Sequence, residues 1–248
     1  MKFFKNQITF LLLFSISIFH GQSASDLLTS MDELISAPKD KEAKVKMVLK
    51  DKSGKEKVRE AVLMQKGRYK KLYRYTKPEK QAGIATLSLP DDIMWMYMPA
   101  FGKPIKISLL SKSQTFTGTD FSYEDMTGTS YGERFVPGIV DNPDNSIYQL
   151  ELRPKSMKSR YSKIIVYLNR EHRYPEKMEY FDDNKEFFKY ATYDYVNQGK
   201  YWYAKEVVMT DIKKEHSTSI SLSDMKFDQG IPDEVFTVEN LGDLNKSE

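Results

Sequence analysis

The chain has 248 residues, no cysteine, and 38 basic against 35 acidic residues. The absence of cysteine excludes disulfide bonds, a thiol nucleophile and a lipid attached to an N-terminal cysteine. A formal charge of +3 does not predict nucleic-acid binding, and the length suits one domain that needs no disulfides.

The N-terminus predicts a secretory signal peptide. A basic start, MKFFKNQ, is followed by the apolar run ITFLLLFSISIF and then by small or polar residues. The apolar run is shorter than the ~20 residues that a membrane-spanning helix needs, so it predicts a leader that is cleaved between Gly21 and Ser25. We therefore expect residues 1–22 to be a signal peptide and residues 23–248 to form a single domain of a soluble exported protein.

The segment SASDLLTSMDELISAPKD predicts one amphipathic helix. We expect Ser25 or Asp26 to cap its start and Pro38 to end it. Its apolar residues recur at helical spacing: Leu27, Leu28, Met31, Leu34 and Ile35.

Almost all of the remaining chain predicts short antiparallel strands. In EAKVKMVLK, residues 42–50, apolar and charged side chains alternate with the period of a half-buried strand. Turn sequences such as DNPDN, FDDNK and NQGK separate the others, which are expected at 57–66, 69–77, 81–89, 93–98, 104–110, 146–153, 163–169, 176–182, 185–195, 200–213 and 216–228. This pattern predicts a mainly β (α+β) fold with a large, strongly curved sheet.

The strand IMWMYM is apolar on both faces, so we expect both faces to be covered, by the helix, a loop or a ligand. Methionine adapts to irregular apolar partners such as acyl chains. The candidate lipid contacts are therefore Met94, Trp95, Met96, Tyr97 and Met98. Ordinary core packing is the alternative.

Charge is unevenly distributed along the chain. Residues 41–80 contain fifteen Lys or Arg and five Asp or Glu, whereas residues 120–145 contain six acids and one Arg. The basic region is either a solvated strand face or a surface that meets anionic lipid head groups. Aromatic and basic strands can also stack on single-stranded nucleic acid, but an exported protein seldom meets it, so no nucleic-acid partner is expected.

The sequence offers little evidence for catalysis. His172 and His216 follow the predicted leader, and neither has metal-ligand spacing. The adjacent acid pairs, such as Glu124 and Asp125, would point to opposite faces of a strand and would not converge on one bond. We expect no catalytic residue, no metal and no cofactor. An enzyme would need His172 or His216 buried beside a carboxylate in a cleft.

Two stretches, IMWMYMPAFGKPIKIS and FTGTDFSYEDM, together resemble the signature of the bacterial outer-membrane lipoprotein-sorting protein family, relatives of the periplasmic carrier LolA and its receptor LolB. The family pattern places an apolar W-x-Y-x-P strand first, at Trp95, Tyr97 and Pro99, and a basic strand next, at Lys103 and Lys106. The motif G-[ST]-D-[FL]-[ST]-Y-[ED]-D follows, at Gly118, Thr119, Asp120, Phe121, Ser122, Tyr123, Glu124 and Asp125. Family members usually have Arg where Lys103 and Lys106 stand, and Lys cannot make the planar two-pronged contact of Arg.

The resemblance implies a LolA/LolB-like domain, an incomplete antiparallel β-barrel of about eleven strands wrapped around the N-terminal helix, with an apolar cavity for acyl chains. It implies a non-enzymatic periplasmic carrier or binding protein for lipoproteins or other lipids. An inner-membrane exporter would supply the cargo, and the outer membrane would receive it. The alternative is an accessory protein that binds an envelope transporter or another protein and uses the barrel as a scaffold. The oligomeric state is left open.

Two roles are open for the motif at residues 118–125. In the structural role, Phe121 and Tyr123 anchor a crossing segment to the barrel, while the polar motif residues bind backbone donors or pair with Lys103 and Lys106. In the other role, the motif is a docking surface for a membrane partner.

Overall fold

The computed structural model describes residues 22–108, 114–157 and 159–242. Most of the predicted signal peptide, residues 1–21, therefore lies outside the described residues. Within the described ranges, no helix has both the length and the apolar character needed to cross a membrane.

The predicted N-terminal helix is confirmed as α1, Ala24–Ser36. Its N-cap is Ser23 rather than the expected Ser25 or Asp26, because Asp26 takes the third helical position of a capping box. The Ser23 hydroxyl accepts a hydrogen bond from the Asp26 amide at 3.1 Å, and the Asp26 carboxylate accepts one from the Ser23 amide at 3.2 Å. The helix ends just before Pro38, which cannot continue it.

The described residues form one antiparallel sheet of 13 strands, in the order β6-β5-β4-β3-β2-β1-β13-β12-β11-β10-β9-β8-β7. The strands are β1 Asp40–Lys50, β2 Glu56–Lys66, β3 Lys70–Lys77, β4 Ala85–Leu89, β5 Ile93–Tyr97, β6 Pro104–Lys106, β7 Phe135–Val140, β8 Ile147–Pro154, β9 Lys163–Asn169, β10 Pro175–Phe181, β11 Phe187–Gln198, β12 Tyr201–Asp211 and β13 His216–Phe227.

The sheet is strongly curved and is not closed, since β6 and β7 are its two edges. The helix α1 contacts both β12 and the edge strand β7. Strands lie about 4.8 Å apart, so in a flat sheet β12 and β7 would be roughly 24 Å apart, about twice the diameter of a helix. The sheet must therefore curl around α1. The mainly β fold, with a curved sheet around an N-terminal helix, is confirmed, with more strands than the expected eleven.

One strand and two short helices were not predicted. β7 contains Pro137 and Gly138, which interrupt the alternation by which strands are recognised. Proline is tolerated there because β7 is an edge strand and need not donate every ladder hydrogen bond. The helices α2, Tyr123–Met126, and α3, Tyr131–Arg134, have only four residues each, and both begin with a capping box.

Both faces of the sheet near β4 and β5 are covered. On the concave face, the main core joins Leu27, Leu28 and Met31 of α1 to inward-facing residues of the sheet. On the other face, a smaller core is closed by Phe236 and Leu241 from two short 3-10 turns near the C-terminus.

Candidate functional site

Residues 114–134 form a crossing segment that enters the concave side of the sheet between the edge strands β6 and β7. Side chains from well-separated strands hold it. The Arg59 guanidinium of β2 donates to the Thr117 carbonyl at 2.6 Å, and the Thr218 hydroxyl of β13 accepts a hydrogen bond from the Asp120 amide at 3.1 Å. The motif at residues 118–125 therefore lies within the curve of the sheet.

Asp120 is the motif residue that is bound to β13. Its carboxylate lies 2.7 Å from His216 Nδ1 and accepts a hydrogen bond from the Thr218 hydroxyl at 2.6 Å. Asp120 and Thr218 are both buried. A carboxylate in this position ties the crossing segment to the centre of the sheet.

Asp125 forms a second buried contact between the crossing segment and the sheet. Its carboxylate lies 2.9 Å from the Lys189 ammonium of β11 and accepts a hydrogen bond from the Tyr161 hydroxyl at 2.8 Å. Burial alone would raise the pKa of Asp125. The positive charge of Lys189 and the hydrogen bonds from Ser122, Lys189 and Tyr161 outweigh burial, so the pKa of Asp125 lies below its usual value.

Most of the other motif residues either pack in the core or form hydrogen bonds that cap local structure. Phe121 and Tyr123 are buried, and the Tyr123 ring meets Phe116 edge to face with centroids 5.3 Å apart. Ser122 begins α2, and the Thr119 hydroxyl donates to the Phe116 carbonyl at 2.7 Å. Remaining motif members are Gly118, exposed at a positive φ of 78°, and Glu124, which pairs with Arg134 at 3.4 Å.

The basic strand does not take part in these contacts. Lys103 and Lys106 are exposed, and among the described residues the buried partner of Asp125 is Lys189. The pairing that was expected between the motif and the basic strand is therefore not formed there. The burial of the motif favours the structural role, and docking of a membrane partner stays a prediction.

The five candidate lipid contacts divide between the two faces of β5. Met94 and Met96 face the main core, and the Tyr123 hydroxyl lies 3.5 Å from Met96 Sδ. Trp95 and Tyr97 face the smaller core instead. Met98 is half-buried just after the strand. The predicted covering of both faces is confirmed, with the crossing segment on one side and the C-terminal turns on the other.

A cavity of about 230 Å³ lies between α1, the crossing segment and the concave face of the sheet. Its wall is mostly apolar and aromatic, with β10 to β13 providing Tyr180, Tyr193, Tyr195, Trp202, Val207, Met209, Ile220 and Leu222. None of residues 94–98 lines this cavity. Of the five candidates, only Met94 and Met96 lie on the same face of the sheet as the cavity, and neither lines it.

Cationic side chains line the part of the cavity that is nearest β1 to β3. They are Lys41, Arg68, Lys71 and Arg134. Burial lowers the pKa of Lys41 to about 8. Burial, together with the nearby charges of Lys41 and Arg134, lowers the pKa of Lys71 to about 7. Some residues of the basic region 41–80 therefore line the cavity, and that region is not confined to a solvated face of the sheet.

The acids that line the cavity are already engaged. The Asp32 carboxylate of α1 accepts hydrogen bonds from the Tyr131 and Gly132 amides at 3.0 and 2.8 Å, which fastens α1 to the start of α3. Burial raises the pKa of Asp32, although these two amides and the nearby charges of Arg68 and Arg134 oppose the rise. Asp125 is bound to Lys189.

The two histidines do not form a catalytic site with the cavity. His216 lies beside the buried Asp120, as an enzyme would need, but neither residue lines the cavity. His172 stacks on Trp202 with centroids 4.5 Å apart. Among the residues that the structure describes, no group of three or more His, Asp or Glu could hold a metal ion.

One further pattern in the sequence, Gly128 to Gly132, matches the G-x-S-x-G of nucleophile elbows. In the structure Ser130 is the N-cap of α3, with φ −67° and ψ 159°, and its hydroxyl donates to Glu133 at 2.7 Å. An elbow holds its serine exposed and strained between a strand and a helix, whereas Ser130 is buried in a capping box. The pattern is therefore structural here.

Solved structures share this fold. The chain matches a domain from Vibrio parahaemolyticus described as an outer membrane lipoprotein-sorting protein domain, with 27% identity and a TM-score of 0.82 over 88% of this chain and 98% of that one. It also matches a DUF1329 family protein from Desulfovibrio piger, with 22% identity and a TM-score of 0.81 over 88% and 97% of the two chains. A LolA superfamily protein from Nitrosomonas europaea matches with 22% identity and a TM-score of 0.74 over 88% and 98%.

No curated protein matches the chain. A family model with the description "uncharacterized protein" matches residues 67–243, which is well over half of the sequence. The resemblance drawn from the sequence is thereby confirmed: the chain belongs to this family, and its fold is that of the LolA-like lipoprotein-sorting domains.

Proposed function

We propose that the protein is a periplasmic carrier or binding protein for lipids or lipoproteins, and that it shields an acyl chain in the cavity during transfer toward the outer membrane. The observation that carries this proposal is the mostly apolar cavity, rich in aromatic side chains, inside the curved sheet. The similarity to a lipoprotein-sorting domain supports it.

The physical need for such a cavity is large. Exposing an acyl chain to water costs about 0.8 kcal/mol per CH₂, so a fourteen-carbon chain costs on the order of 10 kcal/mol. A carrier must offset most of this cost and still release the chain. An apolar wall that includes Met126 and Met209, whose flexible side chains can repack around the chain, meets both needs.

The proposal assigns binding rather than catalysis to the cavity. Tyr193, Trp202 and Met209 would contact the acyl chain directly. Met94 and Met96 remain candidates for contact with a longer chain, because they face the same core. An inner-membrane exporter as donor and the outer membrane as acceptor belong to the same proposal.

Native mass spectrometry of the gently purified protein tests the proposal. We expect a population whose excess mass equals that of a bound lipid, and removal of the lipid should lower the melting temperature. A protein that never retains lipid, and whose melting temperature does not rise when lipid is added, would contradict the carrier function.

A second candidate is an accessory protein that binds a protein partner. Both edges of the sheet expose large apolar side chains, with Ile105 on β6 and Val136 and Ile139 on β7, and such edges can pair with another chain. A pull-down from an envelope fraction distinguishes the two functions. An accessory protein should retain one partner in the absence of bound lipid, and the Val136→Glu and Ile139→Glu variants should lose it.

A further inference from the structure

We propose that the cavity binds an acyl chain with an anionic head group, a carboxylate or a phosphate, and that Lys41 and Lys71 hold that head group. This inference rests on the proposed function and narrows it to a class of ligand.

The two lysines belong to one row across three strands. Lys41 of β1 lies opposite Gln65 of β2, and Gln65 lies opposite Lys71 of β3. Residues directly opposite one another in an antiparallel sheet point to the same face. All three line the cavity, so this row forms part of its wall.

The next row on the same face, further into the sheet, is apolar. Two residues further into the sheet, Ala43, Leu63 and Tyr73 lie opposite one another. Side chains on one face of a strand recur every second residue. The concave face therefore changes from cationic to apolar between one row of side chains and the next. A ligand that follows this face needs a charged end and a hydrocarbon body.

The two ammonium groups have no anionic partner among the residues that the structure describes. Within the described ranges, neither Lys41 nor Lys71 is paired with a carboxylate, and burial is the main influence on the pKa of each. Lys71 donates one hydrogen bond, to the Thr127 carbonyl at 2.9 Å, and an ammonium group has three protons to donate. The acids of the cavity wall are bound elsewhere, Asp32 to two backbone amides and Asp125 to Lys189.

An unpaired cation in a partly buried position destabilises the empty protein. A bound carboxylate or phosphate would remove this penalty and would form short charge-assisted hydrogen bonds. Arg68 also lines the cavity and adds positive charge at this end. A cationic or neutral head group would gain neither benefit, so the arrangement selects for a negative one.

The size of the cavity favours a single chain. Its volume of about 230 Å³ lies below the ~300–1,000 Å³ of pockets that enclose drug-sized ligands. We therefore assign one slender chain with one anionic group to it, which describes a fatty acid or the anionic end of a lipid.

Three probes with the same twelve-carbon chain test the assignment by isothermal titration calorimetry: laurate, 1-dodecanol and dodecylammonium. We expect laurate to bind at least about tenfold more tightly than dodecanol, which corresponds to about 1.4 kcal/mol, and dodecylammonium to bind most weakly. The Lys41→Met/Lys71→Met double variant keeps the long side-chain stems and should lose most of the preference for laurate over dodecanol. Because it removes unpaired cations, it should melt no lower than the wild type.

Lys46→Met is the matched control, since Lys46 is exposed on the opposite face of β1, and it should keep the preference for laurate. Equal binding of all three probes by the wild type would overturn the anionic assignment while the carrier function stands. Failure of every probe to bind would overturn both. Inorganic phosphate alone should not displace laurate, and if it does, the row is a site for free anions and not for amphiphiles.

Discussion

The Asp125 carboxylate and the Lys189 ammonium form an ion pair at 2.9 Å in which both side chains are almost completely buried, at 8% and 2% exposure. Asp125 is also the third helical residue of the α2 capping box, where it accepts a hydrogen bond from the Ser122 amide at 2.8 Å. A single carboxylate thus organises the fold of the crossing segment and fastens it to β11.

Replacement of Asp125 by alanine should destabilise the protein strongly. The variant would leave the Lys189 charge buried without a partner, and breaking a buried pair in this way costs about 3–5 kcal/mol. Urea unfolding measures the loss. The double variant Asp125→Leu/Lys189→Met removes both charges and should recover much of it. If Asp125→Ala unfolded at the same urea concentration as the wild type, the motif would not have the structural role.

Asp120→Ala should also lower thermal stability, by a smaller amount. The substitution removes the acceptor for Thr218 and the partner of His216, and loss of a buried hydrogen-bond partner costs about 1–3 kcal/mol. Glu171→Ala, at an exposed carboxylate, is the control and should change the melting temperature little. Unchanged melting of Asp120→Ala with loss of a binding partner would instead favour the docking role.

The sequence predicts the regular helix and strands of this fold well, because their periodic patterns are visible within short segments of the chain. Alternation of apolar and charged residues indicates β1 directly, and the spacing of Leu27, Leu28 and Met31 indicates α1. β7 fails the same test because Pro137 and Gly138 interrupt the alternation. Such an edge strand is defined by its pairing with β8, which no local pattern encodes.

The candidate site depends on contacts between distant residues. Lys41, Ala43 and Val45 are alternate residues of β1 and therefore lie on the same face of the strand. The inward direction of Lys41 thus follows from the sequence once β1 is recognised. Its neighbour Lys71 follows only from the register of three strands. The pairing of Asp125 with Lys189 spans 64 residues, and basic residues nearer in sequence, Lys103 and Lys106, were the more obvious partners.

The cavity itself was expected, but its position was not. An apolar strand such as β5 indicates burial on two faces, and in this protein the crossing segment and the C-terminal turns provide that burial. The vacant space lies instead against β10 to β13, where tyrosine is frequent. The position of the cavity depends on how far the sheet curves around α1, and this curvature cannot be predicted from the amino-acid composition.

Filling the cavity should weaken acyl binding without unfolding the protein. Ala204 lines the cavity, whereas its neighbour Lys205, the bulged residue of β12, is exposed and does not line it. Ala204→Trp should weaken laurate binding at least about tenfold, with a stability cost of roughly 1–3 kcal/mol from overpacking. Lys205→Trp adds the same side chain outside the cavity and should bind laurate normally. Equal affinity in both variants would place the ligand elsewhere.

The affinity for laurate should fall as the pH rises from 6 to 9. Burial lowers the pKa of Lys71 to about 7 and that of Lys41 to about 8, so both lose their charge in this range unless an anion is bound. The carboxylate of laurate stays ionised throughout, since ordinary carboxyl groups titrate near ~4. We expect a loss of at least about tenfold, and no change for dodecanol, in titrations at pH 6, 7, 8 and 9.

The stability of the empty protein should change in the opposite direction. The pKa values of both lysines lie below the 10.5 of an unperturbed lysine, so between about pH 7 and 10 the unfolded chain binds more protons than the folded one, and stability rises with pH. The charged groups that line the same cavity as Lys71 are Lys41 of β1, Arg68 of the β2–β3 turn, Asp32 of α1, and Asp125 and Arg134 of the crossing segment. Of these, Lys41 and Arg134 act on the pKa of Lys71. Lys41 titrates in the same range, because its pKa is about 8, so its contribution adds to that of Lys71. Comparison with Lys71→Met cancels the contributions of the other titratable groups, and the variant should show a shallower slope in both experiments. Laurate affinity that is constant from pH 6 to 9 would mean that no lysine with a lowered pKa contacts the head group.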